Sequence, residues 1–168
     1  MAELNPRDRL QPFLLDRLMD DQSDQAKESR DKYVFSPRQL RASLLRDLAW
    51  LLNTPSPAAA EGMVDFGNVA SSVLNFGVPD LSGMTASSIV GTTLERNLLK
   101  AIQTFEPRLN KNGLTVRLLT AEETGSPNTI ALEIRGEIVA NPLPDPLYIK
   151  TEVDLETGQC ALKERGNG

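Results

Sequence analysis

A chain of 168 residues with 40% hydrophobic and 24% charged composition suits one domain that buries about 70% of its unfolded surface, and it excludes fibrous and wholly disordered classes. A net charge of −5 without a basic run argues against nucleic acid, whose phosphates demand clustered Lys and Arg. The absence of histidine removes Ser-His-Asp and Cys-His catalysis and the usual zinc sites, which leaves carboxylates, Lys, Tyr and one thiol for any chemistry. No metal site or cofactor is expected. Aromatics make up only 5%, so the core must rest on Leu, Ile and Val. No apolar run approaches the roughly 18 residues that span a bilayer, and Arg7 and Arg9 precede no apolar signal segment. The single cysteine, Cys160, has no internal partner. Together these features place the chain in the cytoplasm without membrane insertion.

Leu4, Leu10, Phe13, Leu14, Leu15 and Leu18 suit a short amphipathic helix after Pro12. Residues 20–34 are polar and read as a linker, so 1–34 form a helix and mobile arm. The next helix is signalled strongly. Ser36 is a natural N-cap, Pro37 fits the first turn and Gln39 completes a capping box. Leu40, Leu44, Leu48, Leu51 and Leu52 then repeat at helical spacing, Leu45 widens the stripe, and Asn53-Thr54-Pro55 ends it. Trp50 reads as packing rather than as an exposed anchor. Residues 69–83 carry Val69, Val73, Leu74 and Phe76 with Gly77, Pro79 and Gly83, and read as an ordered loop packed on the core. A second helix is expected from about Thr85 to Phe105, weakened by roughly 1 kcal/mol at Gly91 unless close packing needs the space.

After Phe105 the period changes to two. Leu114, Val116 and Leu118 begin the alternation, Ile130 to Ile138 continue it, and Leu147 to Val153 repeat it. Each set reads as a strand with one buried and one wet face. Glu156-Thr157-Gly158 turns into a last strand near Cys160 and Leu162. Helices first and strands after define an α+β domain over 35–163, with N-terminal helices packed on one face of a mostly antiparallel sheet of about four strands. Residues 164–168 read as a disordered tail. The sheet edges could accept a strand from another chain, or be blunted by the polar tail Lys163-Glu164-Arg165.

Chemistry-bearing residues are few. Glu61, Asp65, Asp80 and Glu106 could supply the two carboxyls of a glycosidase, about 5–9.5 Å apart, although surface and capping roles are the common case for such acids. Cys160 reads as a small buried hydrophobe with no histidine to activate it. The joint Phe105-Glu106-Pro107-Arg108-Leu109 stands out. An acid at a helix C-terminus meets the negative end of the macrodipole, at a cost of about 0.3–1 kcal/mol. If Pro107 forces the chain to extend, Glu106 and Arg108 share one side. The pair is then either a mutual surface contact or a partner-facing clasp.

Four stretches carry a resemblance: Leu14-Leu15-Asp16-Arg17-Leu18, Leu44 to Thr54 (LLRDLAWLLNT), Ser72 to Gly83 (SVLNFGVPDLSG) and Phe105 to Leu109, with a fainter echo at Thr151 to Gly158. In this order they resemble the TssE subunits of type VI secretion baseplates, within the contractile-phage baseplate wedge family once labelled lysozyme-like. The resemblance implies a structural subunit rather than an enzyme, seated beside the wedge subunits TssF, TssG and TssK. It implies that Glu106, Pro107 and Arg108 dock the subunit onto the wedge, and that its sheet templates contractile sheath subunits by strand exchange. The old label and the carboxylates keep a muramidase as the other reading.

Overall fold

The computed structural model describes residues 13–19, 35–57, 67–85, 89, 91–119, 129–140 and 144–164. The expectations for residues 1–12 and 20–34, for Glu61 and Asp65, and for residues 165–168 lie outside the described residues. Helix α1 is Leu14–Leu18, α2 is Pro37–Leu52, α3 is the single turn Gly67–Ala70, and α4 is Gly91–Phe105, with a 3₁₀ turn at Val73–Asn75 between α3 and α4. Strands β1 (Thr115–Leu119), β2 (Thr129–Ile138), β3 (Asp145–Asp154) and β4 (Cys160–Glu164) follow. Each pairs antiparallel with its neighbour in the order β1-β2-β3-β4. The fold is α+β, with the helices first in the chain and a four-stranded antiparallel sheet after them.

Local chemistry explains where α2 starts. Ser36 Oγ accepts from Gln39 N at 3.2 Å, and Gln39 Oε1 accepts from Ser36 N at 2.9 Å, so both halves of the capping box form. Leu40, Leu44, Leu48, Leu51 and Leu52 are buried along one face of the helix. They meet Leu94, Leu98 and Ile102 of α4 and the inward residues of the sheet in one core. That inward set is Ile130, Leu132, Ile134 and Ile138 on β2, Leu147, Ile149 and Val153 on β3, and Cys160 on β4. Alternation along each strand therefore selects the face that the helices cover.

Four details differ from the sequence-based reading. Helix α4 begins at Gly91, not near Thr85, so the glycine stands in the first turn and carries no interior penalty. A Cβ there would lie 3.2 Å from Leu118 Cδ2, so glycine lets α4 approach β1 closely. Val73 and Leu74 are 83% and 71% exposed, because the 3₁₀ turn points them outward while Phe76, Val78 and Leu81 face the core. Trp50 is 48% exposed. It lies 100° around the helix from Leu51 and 200° from Leu48, which puts it off the buried stripe. Finally, β4 runs to Glu164, one residue into the expected tail.

The outer face of the sheet is also drier than a simple alternation implies. Glu133 is only 7% exposed there, because Arg135 Nη2 donates to its Oε1 at 2.7 Å and the Tyr148 hydroxyl donates to the same oxygen. The hydrogen bond from Arg135, then that from Tyr148, holds the Glu133 carboxyl below its ordinary value. A depressed carboxylate contributes stability above its unfolded value of about 4.3 and loses it as pH falls through the lower folded value. Glu133→Gln is therefore expected to flatten the acid limb of a stability-against-pH profile. An unchanged acid limb in urea titrations from pH 2 to pH 6 would contradict the assignment.

Candidate functional site

Glu106 follows the last residue of α4, and its N–H still donates to Ile102 O at 2.8 Å. The chain then turns at Pro107 and runs beside the end of β2. Val139 N donates to Arg108 O at 2.7 Å, Asn110 N donates to Glu137 O at 2.9 Å, and Leu109 bridges Ile138. The joint is thus clamped on one side by the helix and on the other by the sheet.

Between these anchors the two charges turn inward. Glu106 and Arg108 are 3% and 5% exposed, whereas Pro107 between them is exposed. Arg108 Nε donates to Glu106 Oε1 at 2.6 Å, Arg108 Nη2 donates to Glu106 Oε2, and Arg108 N adds a bond of 3.1 Å to Oε1. This is a bidentate fork with a backbone donor behind it. The mutual surface pair is therefore ruled out by burial. The carboxylate at the helix end is answered by a cation two residues away, inside the protein.

Two residues of α2 complete the cradle. Arg108 Nη1 donates to Ser43 Oγ at 3.0 Å, and Nη2 donates to Asp47 Oδ2 at 2.6 Å. Ser43 in turn donates to Leu40 O at 3.0 Å. Burial alone pushes the Arg108 guanidinium down. The hydrogen bond and charge of Glu106, then those of Asp47, outweigh it and leave the group above its ordinary value. Ser43 and Asp47 stand four residues apart on one helix face, the spacing at which side chains meet a common partner.

The network continues outward. Arg46 Nε donates to Asp47 Oδ1 at 2.8 Å, and Arg46 Nη2 lies 2.8 Å from Asp16 Oδ1 on α1. Nη2 meets both carboxylates at ion-pair distance but without hydrogen-bond alignment. Asp16, Arg46, Asp47, Arg108 and Glu106 thus alternate in sign from α1 through α2 to the joint. The Arg46 guanidinium covers the Trp50 ring at 5.2 Å, and that of Arg108 lies 4.6 Å from the Phe13 ring centroid. Phe105 meets Phe76 edge-on at 5.4 Å, which ties the loop before α4 to the same corner. The stretches around Asp16, Arg46, Phe76 and Glu106, separate in sequence, are one constellation in space.

The remaining candidates lie elsewhere. Asp80 accepts from Ser82 N at 2.9 Å and flanks Gly158, beside the cavity of about 220 Å³ that Asn53 and Cys160 also line. That corner meets the C-terminal end of α2 at Asn53, whereas the fork meets the middle of α2 at Ser43 and Asp47. The Glu106 carboxylate is already taken by the Arg108 fork, and Asp80 is bonded within its own loop. Cys160 is buried, and burial pushes its thiol up, partly offset by a hydrogen bond with Thr151. Among the described residues no cluster of metal-ligating side chains occurs, and no helix is long and apolar enough to cross a membrane.

Each sheet edge is touched by a side chain from the helical layer. Glu95 of α4 accepts from Leu118 N on β1 at 2.7 Å. Asn53 accepts from Cys160 N at 2.8 Å and donates to Cys160 O at 3.0 Å, so its amide imitates a peptide group beside β4. On β4 the next outward-facing backbone groups belong to Leu162, because antiparallel pairing alternates along the strand.

A profile of the family described as baseplate wedge protein gp25 matches residues 38–143, well over half of the chain. The chain belongs to the gp25 baseplate wedge family. The match runs from α2 through β2 and so contains Ser43, Asp47, Glu106 and Arg108, while α1, β3 and β4 lie outside it. Membership makes the chain a phage-like baseplate component of a structural family, and baseplate components work by contacting one another. Neither a curated protein nor a solved structure matches the chain.

Sequence reasoning found Glu106 and Arg108 but not their burial, and it missed Ser43, Asp47 and Phe13 as their partners. The dipeptide Arg46-Asp47 beside the Leu stripe of α2 was the available signal. A charged pair next to buried leucines needs an internal partner or an exposed face, and here Asp47 takes the first course.

Proposed function

We propose that the protein is the TssE-type wedge subunit of a type VI secretion baseplate, docking through the Glu106-Pro107-Arg108 corner and starting the contractile sheath through a sheet edge. The observation that carries the docking reading is the convergence of the four resemblance-bearing stretches on one charged corner. An internal salt-bridge fork alone needs no aromatic covers and no exposed proline at its crest. Pro107, Asp47, Arg46 and Trp50 reach solvent around the buried fork, and together they offer a rigid, mixed-charge surface with an aromatic anchor. TssF, TssG and TssK are the partners this reading names. For sheath templating, the support is an antiparallel sheet whose outer strands, β1 and β4, pair with no further strand among the described residues, the β4 edge being met there by the Asn53 amide.

The test is co-expression with the wedge subunits, using Pro107→Lys as the main variant. Pro107 is exposed, so this change adds bulk and charge at the crest while leaving the buried fork in place. Recovery of the wedge partners is expected to fall at least tenfold with stability within about 0.5 kcal/mol of the parent, the usual range for surface changes. Parent-like recovery would remove this corner from the interface. A muramidase has no comparable support, since the Glu106 carboxylate lies in the Arg108 fork and Asp80 is bonded within its own loop.

A further inference from the structure

We propose that α1 is an intramolecular occupant of the Arg108 cradle, and that the cradle accepts a partner helix presenting an aromatic side chain and, three residues on, a carboxylate. The inference deepens the docking reading and rests on it for the face concerned. Arg108 is filled along its edge by Glu106, Asp47 and Ser43, which leaves the face of its guanidinium to be covered. Phe13 covers that face at 4.6 Å. Asp16, three residues later and on the same side of the turn, reaches Arg46 at 2.8 Å. The aromatic and the acid thus bridge the two arginines as a matched pair.

The seat is loose for the segment that fills it. No residue of α1 is buried as a whole, although the Asp16 side chain is only 6% exposed where it meets Arg46. Leu14 and Leu18, one turn apart, are 70% and 71% exposed and face away from the cradle. Asp16 Oδ2 is buried without a hydrogen-bond donor among the described residues. A five-residue helix has no stability of its own, so its contacts with the cradle are what hold it helical. These are the properties of an occupant that a longer helix with a better donor for its acid, and an apolar face of its own, can replace. While α1 is seated, a competitor's apparent affinity is reduced by the fraction of cradles that stand open.

Phe13→Ala with Asp16→Ala in the full chain should open the cradle, and urea unfolding of the double variant checks that the fold is kept, since the Asp16 side chain is the one part of α1 enclosed against Arg46. The probe is a fluorescein-labelled peptide copying residues 1–34, titrated by anisotropy against the parent and the double variant. The double variant is expected to bind it at least tenfold tighter, and a control peptide carrying the same two substitutions is expected to bind neither chain. Equal affinity for both chains, or equal binding of the control peptide, overturns the proposal. A parent that elutes as a dimer and becomes monomeric in the double variant also overturns it, since α1 would then be exchanged between copies. Recovery of wedge subunits is read separately, so a failure there counts against the docking reading and leaves the cradle result standing.

Discussion

Arg108→Ala is expected to lower the thermal midpoint by roughly 6–20 °C, the equivalent of about 3–5 kcal/mol in a domain of this length. The guanidinium answers two carboxylates, and one of them, Glu106, is 3% exposed. Its removal leaves the Glu106 charge buried with only the Arg108 N–H and little water to solvate it. Asp47 suffers less, because Arg46 remains bonded to it. The loss therefore comes from an orphaned charge and not from the worth of an ion pair. That distinction is measurable. Replacing the pair together, Glu106→Leu with Arg108→Met, removes both charges and keeps apolar volume, a change that is often near neutral for buried pairs. The double variant is expected to regain most of the stability, as read by urea unfolding, while wedge partners are still lost. A double variant as unstable as Arg108→Ala would mean that the backbone bond from Arg108 N to Glu106, not the charge pair, holds the joint.

Gly77→Ala is expected to cost about 3 kcal/mol or more and to loosen the corner at long range from the charges. Gly77 has φ of +131°, in the region that side chains rarely enter. A Cβ built there would stand 2.3 Å from Thr54 O and 2.9 Å from Ser56 N, both backbone atoms that cannot swing aside. Those atoms are committed. Val78 N donates to Thr54 O at 2.9 Å and Ser56 N donates to Val78 O at 2.8 Å, forming the bridge that ties the end of α2 to the loop before α4. The preceding residue, Phe76, leans on Phe105 next to Glu106. A shift at Gly77 thus reaches the joint through one aromatic contact. Urea unfolding gives the stability loss, and slower exchange of the Val78 amide than of the loop amides in the parent should vanish in the variant. A variant as stable as the parent would show that the loop relaxes around the new methyl group.

What could be read in the sequence was local. The capping box at Ser36 and Gln39, the Leu stripe of α2 and the two-residue alternation of β2 and β3 each depend on neighbours within a few positions, and each appears where its pattern stood. The end of α4 at Glu106-Pro107 was legible for the same reason. The surroundings of the clasp were not. Arg108 is 65 residues from Ser43 and 61 from Asp47, so no local pattern announces that the charges face inward. Burial of an ion pair is a tertiary property, decided by what packs over it. Trp50 is the opposite case. Its angle around the helix already placed it off the stripe, and apolar identity outweighed geometry in the reading. The start of α4 was set six residues early, since apolar spacing continues through Ile89 while the helix itself begins at Gly91.

The order of the sheet has a consequence for how the molecule can change shape. Strand order equals chain order, so no strand is threaded between two others that follow it. Among the described residues β4 is the last strand and outermost in the sheet, bonded to β3 on one side and to Asn53 on the other. An opening of the sheet that starts at β4 therefore leaves the other strand pairings intact. Among the described residues, the β3 ladder, the Asn53 clip and the core packing of Cys160 and Leu162 have to open, while the β1-β2-β3 unit and the α2-α4 layer keep their connections. The clasp at Arg108 hangs from α2 and from the far end of β2, so it does not lie on the line along which β4 would separate.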